Sequence, residues 1–272
     1  MQSLQLAHRL ENKNVLLIGA GEVAVTRMPK LLPTGCRLTI VSPSFHRKIR
    51  ESFPPGIPNE SDSMVVNDEW TSASRETYRI VKDTYKPEHL YLESHWHIVL
   101  VCISDHDVSR EIYAQVQKQF GPQQLINVAD VPPLCNFYFG ANCTLAHDRL
   151  QVLVSSNGLS PRFAALVRDE IAAVLSAKEQ QLEEAIARLG DLRARIRSIA
   201  CNRDDVAFRM SWIKIVTDTF GLERCNLLDV DKLAHLFAQM YAEWRDGTAP
   251  PAAVTATDFP APDQLVAEYS LQ

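Results

Sequence analysis

The chain has 272 residues, 46% of them hydrophobic and 22% charged, with a formal net charge of −5. Such a composition is ordinary for a globular protein, and this length can bury a substantial core without disulfides or a structural metal. The acidic balance gives no support to nucleic-acid binding, which needs a concentrated basic face.

The first residues, "MQSLQLAHRLENK", lack the apolar core of a secretory signal. No apolar run reaches the roughly 18 residues that a membrane span needs. Six cysteines, Cys36, Cys102, Cys135, Cys143, Cys201 and Cys225, are scattered without a C-x-x-C pair. Free thiols in apolar runs fit a reducing compartment, so a cytoplasmic protein without membrane attachment is expected.

"KNVLLIGAGEVAVTRMPKLLPTGCRLTIVSP" reads as strand, glycine turn, helix, strand. That is one βαβ unit, and it implies a parallel sheet. Gly35 is a plausible helix-ending glycine, and Pro29 should kink or shorten the helix before it. Residues 51–96 mix turn-rich, polar and weakly helical stretches and read as an extended, partly mobile insertion in the sheet domain. Strands are expected over His97–Asp105 and "QLINVAD", with the helix "SREIYAQVQKQF" between them; another strand is expected over Arg149–Ser156.

After Gly158 apolar residues recur at three-to-four spacing over many turns. Ser160 and Pro161 read as N-cap and first helical position. Two further helices are expected near Asp204–Phe220 and Asp229–Trp244. A flexible linker follows in "DGTAPPAAVTATDFPAP", and then a short helix near Gln264–Tyr269. The fold class is therefore α/β, a Rossmann-like parallel sheet domain followed by an all-helical C-terminal part.

Gly19-Ala20-Gly21-Glu22-Val23-Ala24 is a G-x-G-x-x-A turn between strand and helix. The first glycine permits the tight turn, the second lets the backbone approach a pyrophosphate, and the helix N-terminus attracts phosphates. The acid that usually ends the second strand is missing: Ser42 and Pro43 stand there, so the motif leaves NAD and NADP both open. Asp105, Asn127 and Asp130 fall at strand C-termini, the edge where open parallel sheets bind ligands. Asp105 reads equally as an N-cap. Ser155, Ser156, Asn157, Ser160 and Arg162 gather at a helix start, suiting either an anionic group or plain capping. His95 and His97 share one side of an extended segment but have no third ligand near them, so no stable metal site is expected. Protease, esterase and kinase signatures are absent.

"LLIGAGEVAVTR", "INVADVPPLCNFYFGA" and "SSNGLSPRFAALVRDEI" together resemble the siroheme synthase family, specifically the yeast-type bifunctional precorrin-2 dehydrogenase and sirohydrochlorin ferrochelatase. The resemblance runs from "SLQLAHRL" to "DTFGLERC", and matches the middle segment and proline-rich tail poorly. It implies an NAD-binding domain (1–142), a dimerisation region (143–185), a helical C-terminal domain (186–272) and an intertwined homodimer. No appended methyltransferase domain is expected. The family's catalytic aspartate falls on Asp130, and its pattern puts Asn127 and Ser160 at active-site positions; these two and Arg162 are expected to bind the tetrapyrrole substrate. Gly19, Gly21, Glu22, Val23, Ser42, Pro43 and Asp105 fall at the cofactor. A relative carries histidine after the cysteine of "LERC", where this chain has Asn226, so no metal-ligand role carries over.

The implied chemistry is NAD-dependent oxidation of precorrin-2 to sirohydrochlorin, then insertion of Fe²⁺, a substrate, to give siroheme. One aspartate would serve both steps, since the macrocycle supplies the metal's four nitrogens. Two other readings stand beside it: a precorrin-2 dehydrogenase only, and a non-catalytic NAD-sensing module.

Overall fold

The computed structural model describes residues 3–52, 64–66, 77–247 and 254–271. The chain divides into two compact units, Met1–Phe139 and Gly140–Gln272.

In the first unit, β1 (Asn14–Ile18), β2 (Arg37–Val41), β3 (Met64–Val66), β4 (Arg79–Val81), β5 (Ile98–Val101) and β6 (Leu125–Val128) form one sheet in the order β3-β4-β2-β1-β5-β6. Five strands run parallel, and β3 pairs antiparallel with β4 at the edge. Strands buried on both faces read as continuous apolar runs, which is why "VLLI" and "IVLV" were legible. Their side chains alternate between two cores. Val15, Leu17, Leu38, Ile40 and Leu100 pack on one face with Ala24, Met28 and Leu31 of α1 (Glu22–Leu31). Leu16, Ile18, Val41, Val99 and Val101 pack on the other, with Ile112 and Val116 from the helix His106–Phe120. Two buried faces at about 25 cal/mol per Å² of apolar area make these layers the main stabilising term of the unit.

Pro29 lies inside α1, which gives way two residues later to a 3-10 turn; Gly35 closes that turn at φ 70°. A short helix, α2 (Arg47–Ser52), follows β2, and His106–Phe120 is α3. The expectation for 51–96 needs correction where it can be seen. Arg79–Val81 is a parallel strand paired with β2, and Pro87–Leu92 is a 3-10 turn packed by Trp96, so 77–96 belongs to the sheet layer. Residues 53–63 and 67–76, on which most of the expected mobility falls, lie outside the described residues.

The second unit opens with a hairpin, β7 (Ala141–Leu145) and β8 (Leu150–Val154), its own two-stranded sheet. Then come α4 (Pro161–Ser176), α5 (Glu179–Ile199), α6 (Val206–Arg224), α7 (Val230–Asp246) and α8 (Pro262–Tyr269). Its core gathers Leu192, Ile196, Phe208, Trp212, Val216, Phe220, Leu233 and Phe237. The segment read as a flexible linker is ordered where it is described. Val254 is buried and donates its N–H to Ser211 Oγ at 3.0 Å, and Phe259 packs 5.7 Å from Trp212. Residues 248–253 lie outside the described residues.

Candidate active site

Strand register sets one edge. Val81, Val41, Ile18, Val101 and Val128 stand level across the parallel strands. On four of the five strands the next residue continues the ladder: Ser42 N donates to Val81 O, Gly19 N to Val41 O, Cys102 N to Ile18 O and Ala129 N to Val101 O. Because the chain leaves β1 toward β2 and later returns to β5 on its other side, a crevice opens at this C-terminal edge, where open α/β sheets bind ligands.

The glycine turn sits in its centre. Gly19 has φ 94°, and a Cβ there would stand 2.5 Å from Cys102 O, so both backbone and packing demand glycine. Gly21 differs. Its φ of −86° suits any residue, and a Cβ would meet nothing within 4 Å. The room above Gly21 is left by the fold, as close approach of a phosphate requires. As N-cap of α1 it offers no side-chain oxygen, so the first-turn N–H groups stay available to an anion. Glu22 is exposed and Val23 half-buried. The loop after β2 closes on this turn: His46 N donates to Ala20 O at 2.8 Å, and His46 Nε2 lies 2.9 Å from a Glu22 carboxylate oxygen.

Ser42 is buried and donates its hydroxyl to Ser44 O at 2.6 Å, shaping the loop, while Pro43 is exposed. Asp105 is the N-cap of α3. Its Oδ1 accepts from Asp107 N and Val108 N, both at 3.0 Å, so the capping reading describes that oxygen. Asn127 is buried on β6 with its amide turned inward. Nδ2 donates to Phe137 O at 3.0 Å and lies 3.5 Å from Cys135 Sγ. It pins the loop after β6 to the strand. Burial pushes the Cys135 thiol up, and Cys135 Sγ also bridges to Val128 O at 3.1 Å.

Asp130 follows two residues past β6 in a left-handed turn with φ 59°. Aspartate is one of the few side chains that tolerate this conformation. Its carboxylate is exposed, and no described residue bonds it. The structure brings Gly19, Gly21, Ser42, Asp105, Asn127 and Asp130 to one edge of one sheet.

One residue escaped the sequence reading. Arg27 of α1 stacks its guanidinium on Phe139, 4.5 Å from the ring centroid, and Phe139 sits 5.5 Å from Phe137. Only the tertiary fold joins a mid-helix arginine to a loop more than a hundred residues later, so spacing carried no signal.

In the second unit Ser160 is the N-cap of α4, but its hydroxyl makes no capping bond; its N–H donates to Ser156 Oγ at 2.9 Å. Arg162 is exposed in the first turn. Two of the later arginines are structural: Arg195 pairs with Asp231, and Arg209 caps the carbonyls of Ala200 and Asn202. His95 and His97 pack edge to face at 4.8 Å. Among the described residues no group of three His, Cys, Asp or Glu side chains is placed to hold a metal ion. Nor is any described helix long and apolar enough to cross a membrane.

A parallel sheet with a glycine turn, an uncapped helix N-terminus and an open Gly21 defines a dinucleotide-binding protein of Rossmann type, and residues 6–141 match a family described as NAD(P)-binding. Residues 148–173 and 179–245 match the central and C-terminal families of sirohaem biosynthesis proteins. The Siroheme biosynthesis protein of Saccharomyces cerevisiae is 44% identical over 280 residues, 99% of this chain and 98% of that protein. That of Schizosaccharomyces pombe is 28% identical over 91% of this chain and 84% of its own. The Siroheme synthase of Nitrosomonas europaea is 27% identical over 70% of this chain but only 34% of its own length. A solved precorrin-2 dehydrogenase, SirC, superposes with a TM-score of 0.54 at 17% identity, covering 90% of this chain and all of that one; at that identity it bears on the fold. The chain belongs to the siroheme biosynthesis protein family.

Proposed function

We propose that the chain oxidises precorrin-2 to sirohydrochlorin with NAD⁺ and then inserts Fe²⁺ to give siroheme, with Asp130 serving both steps. The observation that carries this is an exposed carboxylate without a partner among the described residues, set by a left-handed turn at the same sheet edge as the open glycine turn. Family membership supplies the pathway, and the geometry suggests the residue.

The glycine turn fits a dinucleotide: Gly19 makes the turn, Gly21 leaves room, and the N–H groups of Glu22 and Val23 stand in the first turn of α1, where a helix attracts an anion. When bound, NAD⁺ supplies the hydride acceptor. Ser42 and Pro43 border the β2 side of that site, and Asp105 the β5 side. Oxidation removes one hydride and one proton from the macrocycle, and Asp130 takes the proton or orients the ring that loses it. Chelation releases two pyrrole N–H protons as Fe²⁺ enters, and the macrocycle supplies all four nitrogens. A single base beside the ring then suffices, and no protein metal cage is required. In this reading Asn127 acts by fixing the loop beside Asp130, while Ser160 and Arg162 bind the substrate's acid groups.

The reading extends to assembly. α4 buries only Ala164, while Phe163, Leu166 and Val174 stay exposed, as does Leu153 of β8. Covering this apolar face is the role assigned to residues 143–185 as a homodimer region, between an NAD-binding domain (1–142) and a helical domain (186–272). Sedimentation at micromolar concentration should give a dimer; a monomer would contradict it. Six free cysteines support a cytoplasmic location.

Asp130→Asn keeps the shape and tolerates the turn, so the variant should fold normally. Both NAD-dependent oxidation and Fe²⁺ insertion should fall by about 10²-fold or more. Retention of both activities near the wild-type level would remove Asp130 from the mechanism.

A further inference from the structure

Arg27 sits on α1 with its guanidinium over Phe139 and no acceptor for its N–H groups among the described residues; Nε is buried and unpartnered. Lys30, one turn on, places its ammonium 5.6 Å from the same ring. Burial pushes the Cys102 thiol up to about 12, and it raises Cys135 too; in both cases the charge of Arg27 opposes the rise. Cys102 follows β5 directly and Cys135 is bonded to β6, so both thiols belong to the β5–β6 half of the edge. Phe139 belongs to the loop that Asn127 pins.

A buried guanidinium N–H without an acceptor is costly, and the planar fork of donors matches a carboxylate or phosphate oxygen pair. The stack on Phe139 fixes the fork's direction before any ligand arrives. Two anions could meet it. The pyrophosphate of the dinucleotide is already served by the Gly19–Val23 turn. Arg27 lies five residues beyond Glu22, about 7.5 Å further along the helix. Its stacking partner Phe139 belongs to the loop after β6, on the other side of β1 from β2, whose end borders the adenosine half of a dinucleotide in this topology. An acid group of the substrate is what remains.

We propose that Arg27 is a substrate-binding residue that takes a peripheral carboxylate of the tetrapyrrole and so sets the macrocycle against Asp130. This rests on the tetrapyrrole reading above. The alternative source of the same chemistry, a cofactor phosphate, separates by experiment.

The test is titration of the full-length protein with sirohydrochlorin and, separately, with NAD⁺, for the wild type and for Arg27→Gln, Arg27→Met and Arg27→Lys. Arg27→Gln and Arg27→Met should weaken sirohydrochlorin binding by about 10- to 100-fold. NAD⁺ affinity should stay within about twofold, which also reports the fold as intact. Arg27→Lys, keeping the charge without the fork, should recover part of the loss. Unchanged sirohydrochlorin affinity in Arg27→Gln overturns the assignment. Loss of NAD⁺ affinity alone overturns it in favour of a phosphate contact. Equal loss of both ligands overturns it in favour of a purely structural role. A wild-type protein that binds NAD⁺ but no sirohydrochlorin overturns the tetrapyrrole reading and Arg27 with it, a result distinct from an indifferent variant.

Discussion

At Gly19 and Gly21 one motif letter has two different physical meanings. Gly19→Ala must hold a Cβ at φ 94° and 2.5 Å from Cys102 O. It should cost about 2–4 kcal/mol, measured by denaturant unfolding. Gly21→Ala meets open space in an ordinary conformation and should leave stability within about 0.5 kcal/mol, while weakening NAD⁺ binding in calorimetry. Equal destabilisation by both substitutions would contradict that division. Asp130 carries the converse signature, a side chain in a conformation that glycine would take more easily. Asp130→Gly should raise stability by up to about 1 kcal/mol and abolish turnover, as expected where strain is retained at a site. The glycine turn and Asp130 were legible because both follow directly on strands that the apolar pattern reveals. The inward turn of the Asn127 amide was not. Its partners, Phe137 O and Cys135 Sγ, are set by how the loop after β6 folds back.

Elements with a continuous apolar run or a clear helical period were readable from spacing: β1, β2, β5, β6, α1, α3, and the helices of the second unit. β4 was not, because "RIV" is too short to stand out from a polar stretch and becomes a strand by pairing with β2 and β3. β7 was missed for a related reason: "ANCTL" is half-buried and owes its extension to β8. The 3-10 turn Pro87–Leu92 has a consequence for pH. His89 is buried there, with Nδ1 accepting from Lys86 N at 3.1 Å, and burial holds its pKa below the ordinary value, against the pull of Asp83. Burial also lowers His97, helped by the charge of His95. Unfolding lets both bind protons more readily. Stability should therefore be flat between about pH 7 and 8 and decline as pH falls below about 6.5. Thermal melts from pH 8 to pH 5 test this, with His89→Gln expected to flatten the decline; a melting temperature independent of pH over that range would contradict it.

At the scale of the whole molecule, two compact units divide the work of folding, each with its own core. Trp212 is fully buried against Phe237 and Phe259, with Nε1 donating to Met240 Sδ at 3.2 Å. Trp212→Ala should cost about 3–5 kcal/mol in the unfolding of the helical unit. The α/β-then-helical order was legible from periodicity alone, but the pathway was not: it came from the combination of three motifs, and the family match now carries it. The proposed mechanism has one sheet-edge carboxylate serve an oxidation and a metal insertion in sequence. Its most direct test is anaerobic: purified protein with precorrin-2 and NAD⁺, followed by absorbance, with Fe²⁺ added once oxidation is complete, for the wild type and Asp130→Asn. The wild type should form sirohydrochlorin only with NAD⁺ and then accelerate its conversion to siroheme, and Asp130→Asn should be slower by about 10²-fold or more in both steps. Oxidation without accelerated Fe²⁺ insertion, or an active Asp130→Asn protein, would contradict the claim.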